Sequence, residues 1–153
     1  MTPESLTFRE AEPEDLEVII ALLTDDALGR GREEVSGGLT FYRAAFDHIQ
    51  RDPNNLLLVA CLGSRVVGTL QLTFTPSLSY QGGWRATIES VRTEAALRGQ
   101  GIGAALVGHA IERARARKCV LMQLSSHASR VDARRFYERL GFEATHVGMK
   151  RLL

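Results

Sequence analysis

A strand that runs through a glycine-rich turn into a helix constrains this chain more than any other feature. Trp84 to Thr93 (WRATIESVRT) reads as the strand. Arg98-Gly99-Gln100-Gly101-Ile102-Gly103 is the turn, and Ile102, Leu106, Ala110 and Ala114 then recur every four residues, as one face of a helix does. Glycine has no Cβ, so a phosphate can come close to the backbone there. The first N–H groups of a helix lack intrahelical acceptors and carry the positive end of its dipole, which suits a phosphate or pyrophosphate. Arg98 adds a fixed positive charge. The junction therefore reads as an anion cradle. In its plainer form it is a tight connection in which Gly101 and Gly103 only permit the turn.

The 153 residues of the chain suit one domain, residues 1–153. A chain of this length buries roughly 68–70% of its unfolded surface. With 44% hydrophobic and 24% charged residues the composition is that of an ordinary globular protein. A net charge of +1 argues against nucleic acid as a partner. The local basic run Arg113, Arg115, Arg117 and Lys118 reads as a solvated helix end, where cations favour the dipole. Cys61 and Cys119 have no metal-ligand spacing and no disulfide framework, so both read as small buried hydrophobes in a reducing compartment. The N-terminus has early acids and no apolar signal core, and no run approaches the ~20 apolar residues of a membrane span. The expectation is a cytoplasmic protein with no membrane partner and no metal.

Periodicity and turn chemistry order the rest. Leu6 to Arg9 is a strand. Pro13-Glu14-Asp15 opens a helix whose apolar face is Leu16, Ile19, Ile20 and Leu23. Asp25 to Gly38 is a loop or a broken helix, and Leu39 to Arg51 a second helix that Asp52-Pro53-Asn54-Asn55 ends. Leu56 to Leu62 and Val66 to Phe74 form a hairpin about Gly63-Ser64-Arg65. Pro76 to Gly83 is a loop. After the glycine turn the long helix runs to about Lys118, followed by a strand Val120 to Leu124. Asp132 to Leu140 is a short helix capped by Gly141, and Phe142 to Leu152 a last strand. This β-α-α-β-β-β-α-β-α-β order predicts an α/β (α+β) fold with one mixed sheet and one strand–helix–strand crossover.

Gly99-x-Gly101-x-x-Ala104 also matches a dinucleotide-binding fingerprint, which alone is weak. Five residues separate these glycines from the strand, the next strand ends Leu124-Ser125-Ser126-His127 rather than near an acid, and only one crossover is present. A P-loop fails because no Gly-Lys-Ser/Thr follows.

Val91-Arg92-Thr93 followed by Arg98-Gly99-Gln100-Gly101-Ile102-Gly103 resembles the acyl-CoA signature of the GNAT (GCN5-related) N-acetyltransferase superfamily, Arg/Gln-x-x-Gly-x-Gly/Ala. The stretch Asp132 to Phe142 is similar to that family's C-terminal helix, with its Ala-x-x-x-Tyr core and Gly-Phe ending. Together with the element order, the resemblance spans essentially the whole chain and is closest to small bacterial members. It implies a mostly antiparallel sheet flanked by helices and splayed at its central strands, with acetyl-CoA as co-substrate. The cofactor-binding residues implied are Val91, Arg92 and Thr93, whose main chain would pair with the pantetheine arm like an added strand, and Arg98, Gly99, Gln100, Gly101, Ile102, Gly103 and Ala104 around the pyrophosphate. The Arg98 side chain either faces phosphate or braces the loop. A backbone N–H near Val91 would polarise the acetyl carbonyl.

Tyr137 is the candidate general acid for the departing thiolate, although Ala133, Phe136, Tyr137 and Leu140 also form an ordinary apolar stripe. Glu89 is the candidate base, sharing a face with Thr87 and Val91 by strand alternation. Its plain alternative is a solvated acid. His127, after the next strand, competes as base or substrate ligand, whereas His48, His109 and His146 show no partner in the sequence. Arg130 stands where many family members carry an asparagine, so that asparagine's role does not transfer.

The acceptor implied is a primary amine of a small molecule, less readily a protein. Thr24 to Leu39 and Phe74 to Trp84 would set specificity. Asp25, Asp26, Glu33 and Glu34 would attract a cationic amine, Tyr80 and Trp84 would supply an aromatic wall, and Arg30, Arg32 and Arg43 suit a carboxylate or phosphonate. Family members often dimerise, so the resemblance implies a homodimer. The alternatives are a non-catalytic acyl-CoA sensor or regulatory module on the same fold and, against the near-zero charge, a DNA-binding regulator.

Overall fold

The structure, a computed structural model, describes residues 5–25, Glu33 and 39–153. The sequence expectations for Asp26, Arg30, Arg32 and Glu34 lie outside the described residues.

Strand β1 (Leu6–Glu10) leads into a 3-10 turn at Pro13–Asp15 and helix α1 (Leu16–Thr24). The turn is held by Asp15, whose carboxylate accepts the Glu12 N–H at 2.7 Å and the Arg9 guanidinium at 2.6 and 3.0 Å. Helix α2 (Thr40–Arg51) and strands β2 (Asn55–Leu62) and β3 (Arg65–Thr75) follow, the hairpin turning through Gly63 at φ +59°. Strand β4 (Arg85–Thr93), helix α3 (Ile102–Ala116), strand β5 (Leu121–Gln123) and helix α4 (Val131–Arg139) complete the order. The sheet runs β1-β2-β3-β4-β5, antiparallel except for the parallel β4–β5 pair. This is the mixed, mostly antiparallel α+β architecture expected from the sequence.

Each face of the sheet has its own core. Leu58, Leu70, Leu72 and Ile88 pack against Leu106 and Val107 of α3. On the other face Val59, Cys61 and Val66 meet Ile19 and Ile20 of α1 and Phe46 of α2. Burying one such side chain contributes about 1.5–3 kcal/mol, so the two layers clamp β2–β4 as the rigid floor of the site. Cys61 is buried, Cys119 half-buried, and both are free thiols.

Three expectations change. Residues 142–152 form no strand: past Gly141 the backbone pairs with nothing in the sheet, and Val147 and Met149 are exposed. Alternating apolar residues make a strand only where an edge receives them. Strand β5 is shorter than expected, because its pairing with β4 stops at Gln123. The loop before β4 contains a helical turn, Ser79–Gly82, with Tyr80 and Gln81 at φ +53° and +58°.

Candidate active site

The glycine turn leaves its amides without acceptors among the described residues. Gly99 and Gly101 adopt φ +80° and +83°, a region that disfavours a side chain, and a Cβ at either would meet no atom within 4 Å. Conformation rather than crowding therefore requires glycine, and the space above the loop is open. Ala105 N–H closes the first helical bond to the Gly101 carbonyl at 3.0 Å. The N–H groups from Gly99 through Ala104, including those of Gln100 and Ile102, have no acceptor among the described residues, and no side chain caps the helix. Consecutive free donors at a helix N-terminus fit an anionic diphosphate. Gly103 plays a different part. A Cβ there would lie 3.4 Å from the Phe136 ring, so this glycine sets how closely α4 approaches α3. The Arg98 guanidinium lies 3.7 Å from the Asp25 carboxylate at the end of α1, both side chains being about half exposed.

Beside the cradle the sheet opens. Strands β4 and β5 pair only at Arg85–Leu121, Ala86–Met122 and Thr87–Gln123. From Ile88 to Thr93 strand β4 makes no ladder pair with β5 among the described residues, leaving a slot that an extended ligand can enter as a strand. Val91, Arg92 and Thr93 line its second half, and all three are half-buried.

A bulge in β4 corrects one sequence expectation. Gln71 stands opposite Glu89 and Thr69 opposite Arg92, so β4 carries one residue more than β3 there, and Ser90 adopts φ +53°. Simple alternation fails across a bulge. Thr87 and Glu89 share the face opposite the buried Ala86 and Ile88, but Val91 packs with the α3-side core. Glu89 and Val91 therefore do not share a face. Glu89 is exposed and forms no hydrogen bond or ion pair among the described residues. Its neighbours are polar: the Gln71 amide donates to Asn55 Oδ1 at 2.8 Å, and the Gln123 amide donates to Thr87 Oγ1 at 3.2 Å.

The Tyr137 side chain sits among rings, 5.0 Å from Phe136 and 5.8 Å from Phe142, both edge-on. Burial pushes the phenol's pKa up, and the positive charges of Arg130 and Arg92 pull against that shift. Its hydroxyl has no hydrogen-bond partner among the described residues. Arg130, at the N-cap position of α4, is thus part of the phenol's electrostatic surroundings.

The histidines separate cleanly. His127 is exposed, and its Nδ1 takes the Ser129 N–H at 3.1 Å, a loop-internal bond. His109 stacks on Phe8 with centroids 4.9 Å apart, and burial lowers its pKa. His48 and His146 are exposed. Among the described residues no group of three or more His, Cys, Asp or Glu is placed to hold a metal, and no helix is long and apolar enough to cross a membrane.

Sequence reasoning missed Ser90 and its surroundings. Ser90, Thr69 and Gln71 form the polar side of a cavity of about 150 Å³, otherwise lined by apolar side chains of α1 and α2 such as Ile20 and Phe46. A left-handed serine leaves no signal in sequence, since its residue type tolerates many conformations.

Comparison with known proteins shows the family of the chain. The profile of the acetyltransferase (GNAT) family matches residues 18–142. An aminoalkylphosphonate N-acetyltransferase from Salmonella typhimurium is 30% identical over 147 residues, covering 95% of this chain and 90% of that protein. A structure described as a transcriptional regulator from Bacillus halodurans C-125 is 54% identical with a TM-score of 0.92, covering 97% of this chain and 99% of the other. A putative acetyltransferase from Agrobacterium tumefaciens str. C58 is 28% identical with a TM-score of 0.86, covering 96% and 99%. An acetyltransferase is the class of enzyme that the family match and the Salmonella relative define. The chain belongs to the acetyltransferase (GNAT) family.

Proposed function

We propose that this protein transfers the acetyl group of acetyl-CoA to the primary amine of a small molecule. The observation that carries the reading is the run of N–H groups from Gly99 to Ala104 with no acceptor among the described residues, beside the half of β4 that makes no ladder pair with β5. The amides would take the diphosphate, and the main chain of Val91, Arg92 and Thr93 would pair with the pantetheine arm. The free amine attacks the thioester carbonyl carbon, an N–C bond forms, and the C–S bond breaks. Tyr137 donates its phenolic proton to the departing sulfur, a role that suits a phenol kept protonated by burial. Glu89 takes the proton lost by the nitrogen, through a water, from the polar face it shares with Thr87.

The Salmonella relative acts on an aminoalkylphosphonate, and an amine carrying an anionic group is therefore the first acceptor class to try. The test is a panel of amines, aminoalkylphosphonates included, with acetyl-CoA and detection of released thiol. Turnover of one amine that Tyr137→Phe abolishes while acetyl-CoA still binds supports the reading. Turnover unaffected by that variant removes Tyr137 from it.

A second reading has one observation in its favour: the 54% identical relative is described as a transcriptional regulator. In that case the same slot serves as an acyl-CoA sensor. Acetyl-CoA binding without turnover of any amine, together with a low-salt gel shift, would favour it.

A further inference from the structure

The cavity between the sheet and the first two helices lies beside the candidate base. Gln71 lines it and stands opposite Glu89 in the β3–β4 register, and Ser90, which also lines it, follows Glu89 directly in the chain. Directly opposed residues of an antiparallel pair hold their Cβ atoms about 4.5–5.5 Å apart. A molecule with its nitrogen at Glu89 therefore has the cavity within reach of one substituent. Ala45 and Ser90 are both exposed, so the cavity is reached from outside at α2 and at the bulge.

The lining suits an apolar occupant. Ile20 and Leu23 of α1 and Ala45 and Phe46 of α2 form much of the wall, and no charged side chain lines it among the described residues. Three of its polar side chains have their donors engaged by the protein. Thr69 Oγ1 donates to the Leu58 carbonyl at 3.0 Å, the Gln71 amide to Asn55 Oδ1 at 2.8 Å, and the Tyr42 hydroxyl to Glu33 Oε2 at 3.0 Å. A charged group placed among them would shed its water against mostly apolar walls, at a steep cost. The volume, about 150 Å³, is that of a dry pocket able to hold benzene.

We infer that this cavity selects the acceptor: the amine carries one uncharged apolar group, no larger than a benzene ring, which seats between α1, α2 and Ser90 while the nitrogen faces Glu89. The inference rests on the acetyl-transfer reading and deepens it by naming the acceptor's side group. An anionic group on the same molecule lies outside the cavity, toward solvent.

The test measures kcat/KM for ethylamine, isobutylamine, benzylamine and putrescine with acetyl-CoA on the unaltered chain. A methylene in an apolar pocket is worth about 10–200-fold in that quantity. Benzylamine and isobutylamine should therefore exceed ethylamine by at least roughly tenfold, with putrescine no better than ethylamine. Ala45→Trp sets an indole over the cavity and should cut the ratio of benzylamine to ethylamine by about tenfold or more. Should that variant fail to fold, benzyl alcohol, which lacks the amine, replaces it: it should compete with benzylamine on the unaltered chain. Turnover of amines without preference for the apolar ones overturns the inference and leaves acetyl transfer standing. So does a ratio that a folded Ala45→Trp leaves untouched, and so does an absence of competition by benzyl alcohol. Turnover of no amine fails the transfer reading instead, and benzyl alcohol then decides for the cavity. Binding that shifts the Ile20 methyl resonances supports an apolar occupant, and no binding overturns it.

Discussion

Gly103 and Phe136 touch across the α3–α4 junction, the ring Cζ lying 3.4 Å from where a Gly103 Cβ would be. The contact couples the glycine turn to the helix that carries Tyr137. A larger side chain at 103 must push α4 outward. Gly103→Leu should therefore lower kcat for acetyl transfer by more than tenfold. It should also destabilise the fold by about 1–3 kcal/mol, the usual cost of overpacking. Steady-state kinetics and urea unfolding read the two effects.

Tyr137→Phe keeps the ring contacts and removes only the phenolic proton. Loss of a positioned acid typically costs about 10²–10⁴ in rate. The expected result is a kcat reduced on that scale with acetyl-CoA affinity within about twofold, measured by thiol release and by calorimetric titration.

Gly101→Ala tests the cradle. No atom stands near the new methyl, so the cost is conformational, about 1–2 kcal/mol for a left-handed alanine. If the turn relaxes to avoid that strain, its amides re-aim, and acetyl-CoA affinity should fall about tenfold, as a binding isotherm would show. An unchanged affinity would separate the turn from the diphosphate.

Acid stability should depend on Asp15 and His109. Arg9 holds the Asp15 carboxyl below the usual carboxylate range, through hydrogen bonds to the charged form. A depressed carboxylate stabilises the fold above its unfolded pKa, and that contribution is lost as pH falls through the folded pKa. The Arg9 side chain is 38% exposed, which discounts the pair to about 1 kcal/mol. Burial also lowers the His109 pKa from 6.5, so the unfolded chain takes up a proton first and stability declines as pH drops below that value. His109→Phe, stacked on Phe8, should flatten the decline just below pH 6.5 and leave the steeper loss below pH 4. Thermal melts across that range check both.

Ser90→Gly should preserve the bulge and relieve a left-handed serine, whereas Ser90→Val should not be accommodated. A fall in melting temperature for valine, with little change for glycine, is the expected pattern.

The elements and their order were legible because periodicity reports burial. Ile102, Leu106, Ala110 and Ala114 repeat at helical spacing and all four are buried. The glycine turn was legible because glycine is the residue that positive φ selects. The face of Val91 was not, since one inserted residue at Ser90 reverses alternation without changing composition. Nor was the fate of 142–152: a strand pattern states what a segment can do, while pairing depends on an edge that sequence does not locate. The proximity of Arg98 to Asp25 was not legible, because the two lie far apart along the chain.

The abbreviated β4–β5 ladder has a thermodynamic corollary. Over its second half, β4 makes no ladder pair with β5 among the described residues. A molecule that lays down an extended amide chain there supplies the missing rungs, and the folded state gains whatever free energy that docking releases. The co-substrate is then also a structural component, and the resistance of this protein to heat becomes a gauge of how much of its donor is loaded.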